Sequence, residues 1–397
     1  MNSSRGCAAL LGLTVLWLML LPLESFAQQV PVADANTTIL REACRSQFRY
    51  LKLALHAMDL QRPPVVTDGV TSNIAEAEWP FMAVAYYGYA CANLALCDET
   101  LRADAVTEMR WALDALQTPG LSGFMTPHFG EPFGKGPLTP AVFVHGHFLS
   151  LAVRYREVTG DGRYDEIMGR VAAALGDGFA RSDHGLLLSY KAPVMWWLTD
   201  NFTAFSALAR YDRIFKTRYS ASGDKLVASI KRYYLDPKTG MYATYVDAPS
   251  RTVRQGPRGI SMMYGLHFLK DFAPEFAAAQ YALAKRYLVA PVFLGCCAVR
   301  EFPLGQQGPA DIDSGPLIMG FGPSASGFGI AAAAVMGDIT TTRQLLLALS
   351  LLGLEVADGD KLSYRDVPEV GQVVILFGRS ELLRLSATGG AGAPGAK

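Results

Sequence analysis

Five times along this chain a long stretch of apolar and small residues begins just after polar or turn-forming residues, near Glu78, Pro140, Asp200, Arg258 and Asp313. The spacing is regular, roughly 55 to 62 residues, and a period of that length points to a repeated supersecondary unit. Pro80–Ala95, Ala141–Arg154 and Gly315–Met336 are hydrophobic nearly all round, the pattern of a helix buried on every side. Each is followed by a charged segment with a single apolar face. The pattern predicts hairpins of one buried and one amphipathic helix: Ala77–Leu96 with Leu101–Leu116, Pro140–Val158 with Tyr164–Leu175, Thr199–Phe215 with Lys225–Leu235, Gly259–Lys270 with Pro274–Leu288, and Gly315–Met336 with Thr340–Leu352. A first helix, about Thr37–Leu60, is stopped by Pro63-Pro64. The expected fold is all-α, an (α/α)6 barrel of six hairpins closed into a ring over residues 37–352. A small strand-containing extension follows over 353–386, with Gln372–Phe377 as the strand, and then a disordered Gly/Ala/Pro tail over 387–397.

Such a ring has a chemical consequence. If the buried helices all run the same way, their N-terminal ends meet at one mouth. The long loops Gly120–Thr139, Tyr190–Leu198, Thr244–Arg258 and Val299–Ser314, rich in Gly, Pro and aromatics, each precede a buried helix and would crowd that mouth.

Composition narrows the classes. Half of the 397 residues are hydrophobic and 18% are charged, enough apolar surface for one large core. The 36 acidic and 36 basic side chains balance, so nothing draws the chain as a whole to nucleic acid or to an anionic membrane. Met1–Ala27 carries Arg5, the apolar run Ala8–Pro22 and the small-x-small ending Ser25-Phe26-Ala27, an export signal expected to be cleaved after Ala27. The mature chain is therefore expected in the periplasm or outside the cell. It would hold Cys44, Cys91, Cys97, Cys296 and Cys297, an odd number whose spacing fits no zinc site and at most one bridge.

The titratable groups at the helix entrances are Glu76 and Glu78 beside Trp79, His145 and His147, Asp200 after Trp196-Trp197, Arg258, Glu301, Asp311 and Asp313. Any one of these acids is explained as a helix cap or a solvated loop residue. Several converging on one mouth would raise one another's pKa, which is how acid/base pairs are made. Of His145 and His147, two apart on one helix, at most one points inward. Trp79, Trp196 and Trp197 are candidates for a wall against a sugar ring or an isoprenoid chain. Asp311-Ile312-Asp313 lacks the later acidic ligand of a calcium loop, and no phosphate loop, dinucleotide fingerprint or nucleophile elbow occurs, so neither a metal nor a cofactor is expected.

Short motifs along Thr37–Leu352 resemble the linalool dehydratase-isomerase family, exported proteins whose fold is a ring of six helical hairpins. They are Asp59 with Pro63, Ala85–Ala90, Gly146-His147 with Val158–Gly160 and Arg163-Tyr164, Ala209–Arg213, Leu235–Pro237 with Gly240, Arg300-Glu301, and Met336–Asp338. The resemblance implies acid/base removal of a hydroxyl, with Asp59 matching the family's helix-one aspartate and His147 its histidine. The family's two cysteines are not retained: Asp200 stands near one and Ser189–Lys191 near the other.

Three functions follow. The first is a lyase that dehydrates an alcohol or hydrates an alkene, with Asp59, His147 and Asp200 sharing the protons. The second is a glycoside hydrolase or polysaccharide lyase, with Glu78, Glu301 or Asp313 as proton donor and Asp200 as base. The third is an exported binding protein without catalysis. The partner is a small alcohol or a glycan, and a homo-oligomer is compatible with each.

Overall fold

The computed structural model of the chain describes residues 32–60, 71–352 and 355–387. The expected export signal and residues 388–397 of the expected tail lie outside them. The chain divides into two compact units, residues 1–40 and 41–397, and everything below concerns the second.

The helices longer than four residues, in order among the described residues, are α1 (Val32–His56), α2 (Thr71–Cys97), α3 (Arg102–Leu116), α4 (Val142–Thr159), α5 (Asp165–Arg181), α6 (Leu198–Phe215), α7 (Gly223–Tyr233), α8 (Gly259–Phe272), α9 (Pro274–Tyr287), α10 (Pro323–Val335), α11 (Ile339–Leu352) and α12 (Glu369–Ala387). The even-numbered helices form an inner ring. α2 packs on α4, α4 on α6, α6 on α8, α8 on α10, α10 on α12, and α12 back on α2. Burial follows the sequence pattern. α4 is buried without a break from Val142 to Tyr155, whereas α5 buries one face and carries Asp165, Glu166 and Arg181 at its ends. Those end charges complement the helix dipole. Gly160, in the left-handed conformation at φ 71°, closes α4.

Small residues set the spacing of the ring. A Cβ on Gly88 of α2 would come within 2.4 Å of Leu151 on α4, and one on Gly378 of α12 within 2.6 Å of Ile330 on α10. Through this close packing, aromatic rings from five inner helices meet at the middle. Tyr86 of α2 lies 5.9 Å from His147 of α4, 5.8 Å from His267 of α8, 5.5 Å from Phe328 of α10 and 5.4 Å from Phe377 of α12, ring centre to ring centre. The last three are T-shaped contacts, which add to the burial of the rings.

The inner helices run the same way. Early residues meet early residues: Val194–Trp197 (β2), before α6, pairs with Tyr245–Asp247 (β3), before α8, through Trp196 opposite Val246 and Trp197 opposite Tyr245. Late residues meet late residues: Asn93 of α2 donates to Glu381 of α12 at 3.0 Å, and Arg210 of α6 bonds Asp271 of α8 at 3.0 Å. Tyr190–Lys191 (β1) and Thr252–Gln255 (β4) complete a four-stranded antiparallel sheet in the order β1-β2-β3-β4. Val289–Pro291 (β5) pairs with Cys297–Val299 (β6), and Glu355–Asp358 (β7) with Lys361–Tyr364 (β8).

Three expectations are corrected. Gln372–Phe377 is not a strand. It lies within α12, which is the sixth inner helix, and the segment read as an appended extension therefore completes the ring. The extension's strands are β7 and β8. The fifth buried helix begins at Pro323 rather than Gly315, because the intervening residues include Gly315 and Gly320 at φ 66° and 84° and then Gly322-Pro323, with proline suited to the first helical turn. The first helix ends at His56, short of Leu60. Among the described residues the five cysteines, Cys44, Cys91, Cys97, Cys296 and Cys297, are free, and all but Cys97 are buried. Among the described residues, no helix is long and apolar enough to cross a membrane.

Candidate active site

At the end where the inner helices begin, three carboxyls come together from separate elements. Asp200 is the third residue of α6, Glu78 lies in the third turn of α2, and Asp313 sits in the loop before α10. Asp200 is only 6% exposed. Burial pushes its carboxyl up to about 7, with a hydrogen bond from Ser189 pulling down and the charge of Asp313 pushing up. Asp313, half-buried, is raised to about 6 by burial first and by Asp311 second, against the pull of Arg258. Withdrawal from water raises Glu78 well above the ordinary carboxylate range, and the charges of Asp313 and Asp200 add to it. Each of the three is thus within electrostatic reach of another. Among the described residues none of them is in an ion pair.

Arg258, Glu301 and Asp311 form a different arrangement beside them. The Arg258 guanidinium, 2% exposed, donates from Nε to Glu301 at 2.6 Å and grips Asp311 with both terminal nitrogens, the Nη2 bond being 2.7 Å. Burial raises the fully buried Glu301 to about 7, with Arg258 pulling it down. Asp311 is held low despite burial by the bonds from Arg258 and Ser314. Asp311 also caps its own turn, accepting from the Ser314 N–H at 2.9 Å. The Glu301 carbonyl receives the Gly259 N–H at 2.7 Å. This fork and its two acids tie the start of α8 to the loop before α10. They are a brace for the mouth.

His147 lies deeper. Its Nδ1 is 2.9 Å from the Tyr89 hydroxyl and its Nε2 is 2.8 Å from the Tyr264 hydroxyl. Burial, then the charge of Arg154, lowers it to about 3, so the imidazole is neutral at any ordinary pH. Tyr264 lies within electrostatic reach of the acids. Its hydroxyl also lies 3.2 Å from Thr203, one turn beyond Asp200, and both Asp200 and Glu78 act on it electrostatically. His145 points the other way, bonding the Pro132 carbonyl at 2.7 Å and accepting from the Ala141 N–H at 3.1 Å. It pins a loop.

The remaining candidates divide. Trp196 and Trp197 stand half-buried in β2, Trp197 with its ring 5.3 Å from Tyr245, and Trp79 is half-buried next to Glu78. Asp59 is exposed beyond the end of α1, next to Leu60, whose carbonyl receives the Gly120 N–H at 3.2 Å. His147 meets tyrosines at both ring nitrogens, so Asp59 is not the partner of either. Tyr264 was not singled out by the sequence reading. The signal that could have found it is a tyrosine in the second turn of an inner helix that is otherwise mostly apolar. Among the described residues no group of three or more His, Cys, Asp or Glu is placed to hold a metal.

No family model matches the chain. Solved structures do. An inactive variant of an alpha-1,6-mannanase from a Salegentibacter species, in complex with alpha-1,6-mannotriose, matches with a TM-score of 0.58 at 12% identity, over 87% of this chain and 99% of that one. An unsaturated glucuronyl hydrolase specific for heparin matches with a TM-score of 0.56 at 14% identity, over 86% and 96%. A polysaccharide lyase matches with a TM-score of 0.54 at 11% identity, over 88% and 98%. At such identities the likeness is one of fold: this chain has the helical toroid that these glycoside hydrolases and lyases share.

Proposed function

We propose that the chain is a glycan-acting enzyme that breaks a glycosidic linkage at the mouth of its helical ring, with Asp200 as proton donor and Asp313 as the carboxylate that activates water. The observation that carries this reading is the trio of buried or half-buried carboxyls without ion-pair partners, two of them tuned to about 7 and about 6. A leaving sugar oxygen needs a proton as its bond breaks, and a donor is most effective when its pKa lies near the working pH. The other face of the sugar needs a base. Asp313 ionises first, and its charge helps hold the proton on Asp200. Glu78 beside them is raised well above the ordinary carboxylate range, by burial first and then by the charges of Asp313 and Asp200. The half-buried Trp79, Trp196 and Trp197 offer ring faces for a sugar.

The mannanase, the heparin-specific hydrolase and the lyase all act on glycans, which supports a glycan in place of the alcohol implied by the family resemblance. The dehydration scheme also asks His147 to carry protons, and burial keeps it neutral behind Tyr264. An exported chain would meet such a glycan in the periplasm or outside the cell, in keeping with the expected signal at residues 1–27.

The test is a panel of mannan, heparin-derived and other uronic-acid oligosaccharides, followed by release of reducing ends. Turnover of at least one glycan that is lost in Asp200→Asn supports the reading. Turnover of a tertiary alcohol with none of the panel cleaved would replace it with dehydration.

A further inference from the structure

Two fully buried polar residues tie Asp200 to the chain that precedes its helix. Asn201, its neighbour in α6, uses its whole side chain: Oδ1 accepts the Leu187 N–H at 2.7 Å, and Nδ2 donates to the Leu187 carbonyl at 3.1 Å and to the Trp197 carbonyl at 2.8 Å. Turning the amide over would set an oxygen against two carbonyls, so its orientation is fixed. This clamp binds the segment entering β1 to the first turn of α6. Two residues along that segment is Ser189, whose N–H donates to the Met195 carbonyl at 2.8 Å and whose hydroxyl oxygen receives the Trp197 N–H at 3.1 Å. The hydroxyl's other partner among the described residues is the Asp200 carboxyl.

A hydroxyl has one hydrogen and two lone pairs. The Trp197 N–H takes a lone pair and leaves the hydrogen for Asp200. Were Asp200 to donate instead, the Ser189 hydrogen would be buried with no acceptor among the described residues, a lost hydrogen bond. Ser189 therefore donates whether Asp200 is ionised or neutral. In a neutral carboxyl the better acceptor is the carbonyl oxygen, so the proton belongs on the oxygen that Ser189 does not touch.

We propose that Ser189 is a positioning residue that holds one Asp200 oxygen as its acceptor, keeps the acidic proton on the other, and so presents a single protonated form of Asp200 to the substrate. That last clause rests on the reading of Asp200 as proton donor, whereas the direction of the hydrogen bond does not. The other groups within electrostatic reach of Asp200 are Asp313 before α10, Glu78 of α2 and Tyr264 of α8. Burial and Asp313 favour the neutral acid, and the Ser189 bond opposes them.

The experiment is infrared difference spectroscopy of the full chain without substrate, each protein against its own Asp200→Asn partner, as a function of pH. Neutral Asp200 gives a carbonyl stretch whose frequency falls when that carbonyl accepts a hydrogen bond and whose loss reports ionisation. The wild-type band should show the lowered frequency and disappear as pH passes about 7. Ser189→Ala should raise the frequency to that of a carbonyl without a donor and move the loss upward by about one pH unit, the size of one hydrogen bond. Ser189→Thr, which keeps the hydroxyl, should hold both near the wild type. A wild-type band at the frequency of a carbonyl without a donor, a reading that needs no Ser189 variant, or a band unmoved in Ser189→Ala would each overturn the proposal. On a glycan cleaved in the panel above, the alkaline limb of kcat/KM should move up with the band in Ser189→Ala while the acidic limb stays. A band that moves without the limb would overturn the last clause and remove Asp200 as proton donor, leaving only the direction of the hydrogen bond standing.

Discussion

The two ends of the inner ring treat acidic side chains in opposite ways. Where the helices finish, acids are matched to bases. Arg210 joins Asp271 at 3.0 Å and Glu157 at 2.9 Å, and Glu381 accepts from Asn93 at 3.0 Å and from Arg384 at 2.9 Å. Asp271 is accordingly held low, against its burial, by Arg210 and Arg154. Cations there also complement the negative ends of the helix dipoles. Where the helices begin, Glu78, Asp200 and Asp313 are pushed up instead. Burial is common to both ends, and a guanidinium holds an acid low where its pull outweighs burial, as at Asp271, whereas fully buried Glu301 stays at about 7 even beside Arg258. The Arg258 brace makes the same point within the mouth: beside it Asp311 is low, while Asp313, two residues on, is raised to about 6.

The comparison can be broken most severely at the brace. Arg258→Met leaves Glu301 buried without a cation, and we expect a loss of about 3–5 kcal/mol in denaturant unfolding, the usual result of removing one member of a buried pair. A loss no larger than that of a surface arginine would show that the brace is not structural.

Next comes activity. Asp200→Asn keeps size and hydrogen bonding but removes the proton, and kcat should fall at least about a hundredfold with the fold intact. Near wild-type turnover would exclude Asp200 as the acid. In the wild-type enzyme kcat/KM should rise as pH passes about 6, where Asp313 ionises, and fall as it passes about 7, where Asp200 loses its proton. Asp313→Asn should remove the acidic limb and not the alkaline one.

At the opposite end Asp271→Asn weakens a pair that is about one-fifth exposed, so the expected loss is smaller, about 2 kcal/mol, with little change in the pH profile of any activity. A shift of either limb in this variant would mean that the two ends are coupled through the aromatic centre.

The smallest effect is on stability against pH. Asp200 goes from an ordinary 3.8 to about 7 on folding, so the folded state binds its proton more tightly. The stabilisation is complete below the unfolded value and lost as pH rises to the folded one. Between roughly pH 6 and 8 the wild type should lose about 1 kcal/mol that Asp200→Asn retains. Parallel stability curves for the two proteins would mean that Asp200 is ionised throughout.

Much of this was legible in the chain. Five of the six inner helices announce themselves by apolar residues on every face, and three of the acids at their entrances, Glu78, Asp200 and Asp313, come within electrostatic reach of one another. The sixth was missed for a definite reason. Val373-Val374-Ile375 is a β-branched run that reads as a strand, yet α12 lies between α10 and α2, where burial on all sides outweighs local preference. Glu301 and Asp311 looked equivalent to Asp200 and Asp313, because nothing in one dimension says which acids Arg258 will reach. His147 was chosen for its motif, but the tyrosines that meet both of its ring nitrogens arrive from α2 and α8, 58 residues before it and 117 after.

The sequence by itself determined the hairpin period, the alternation of buried and amphipathic helices, and hence a ring whose mouth collects polar residues, since helical periodicity is a local property carried by each segment. Only the tertiary structure decided which of those residues keep a proton. Protonation depends on burial and on the distance to the nearest cation, and both are set by loops and helices far apart in the chain.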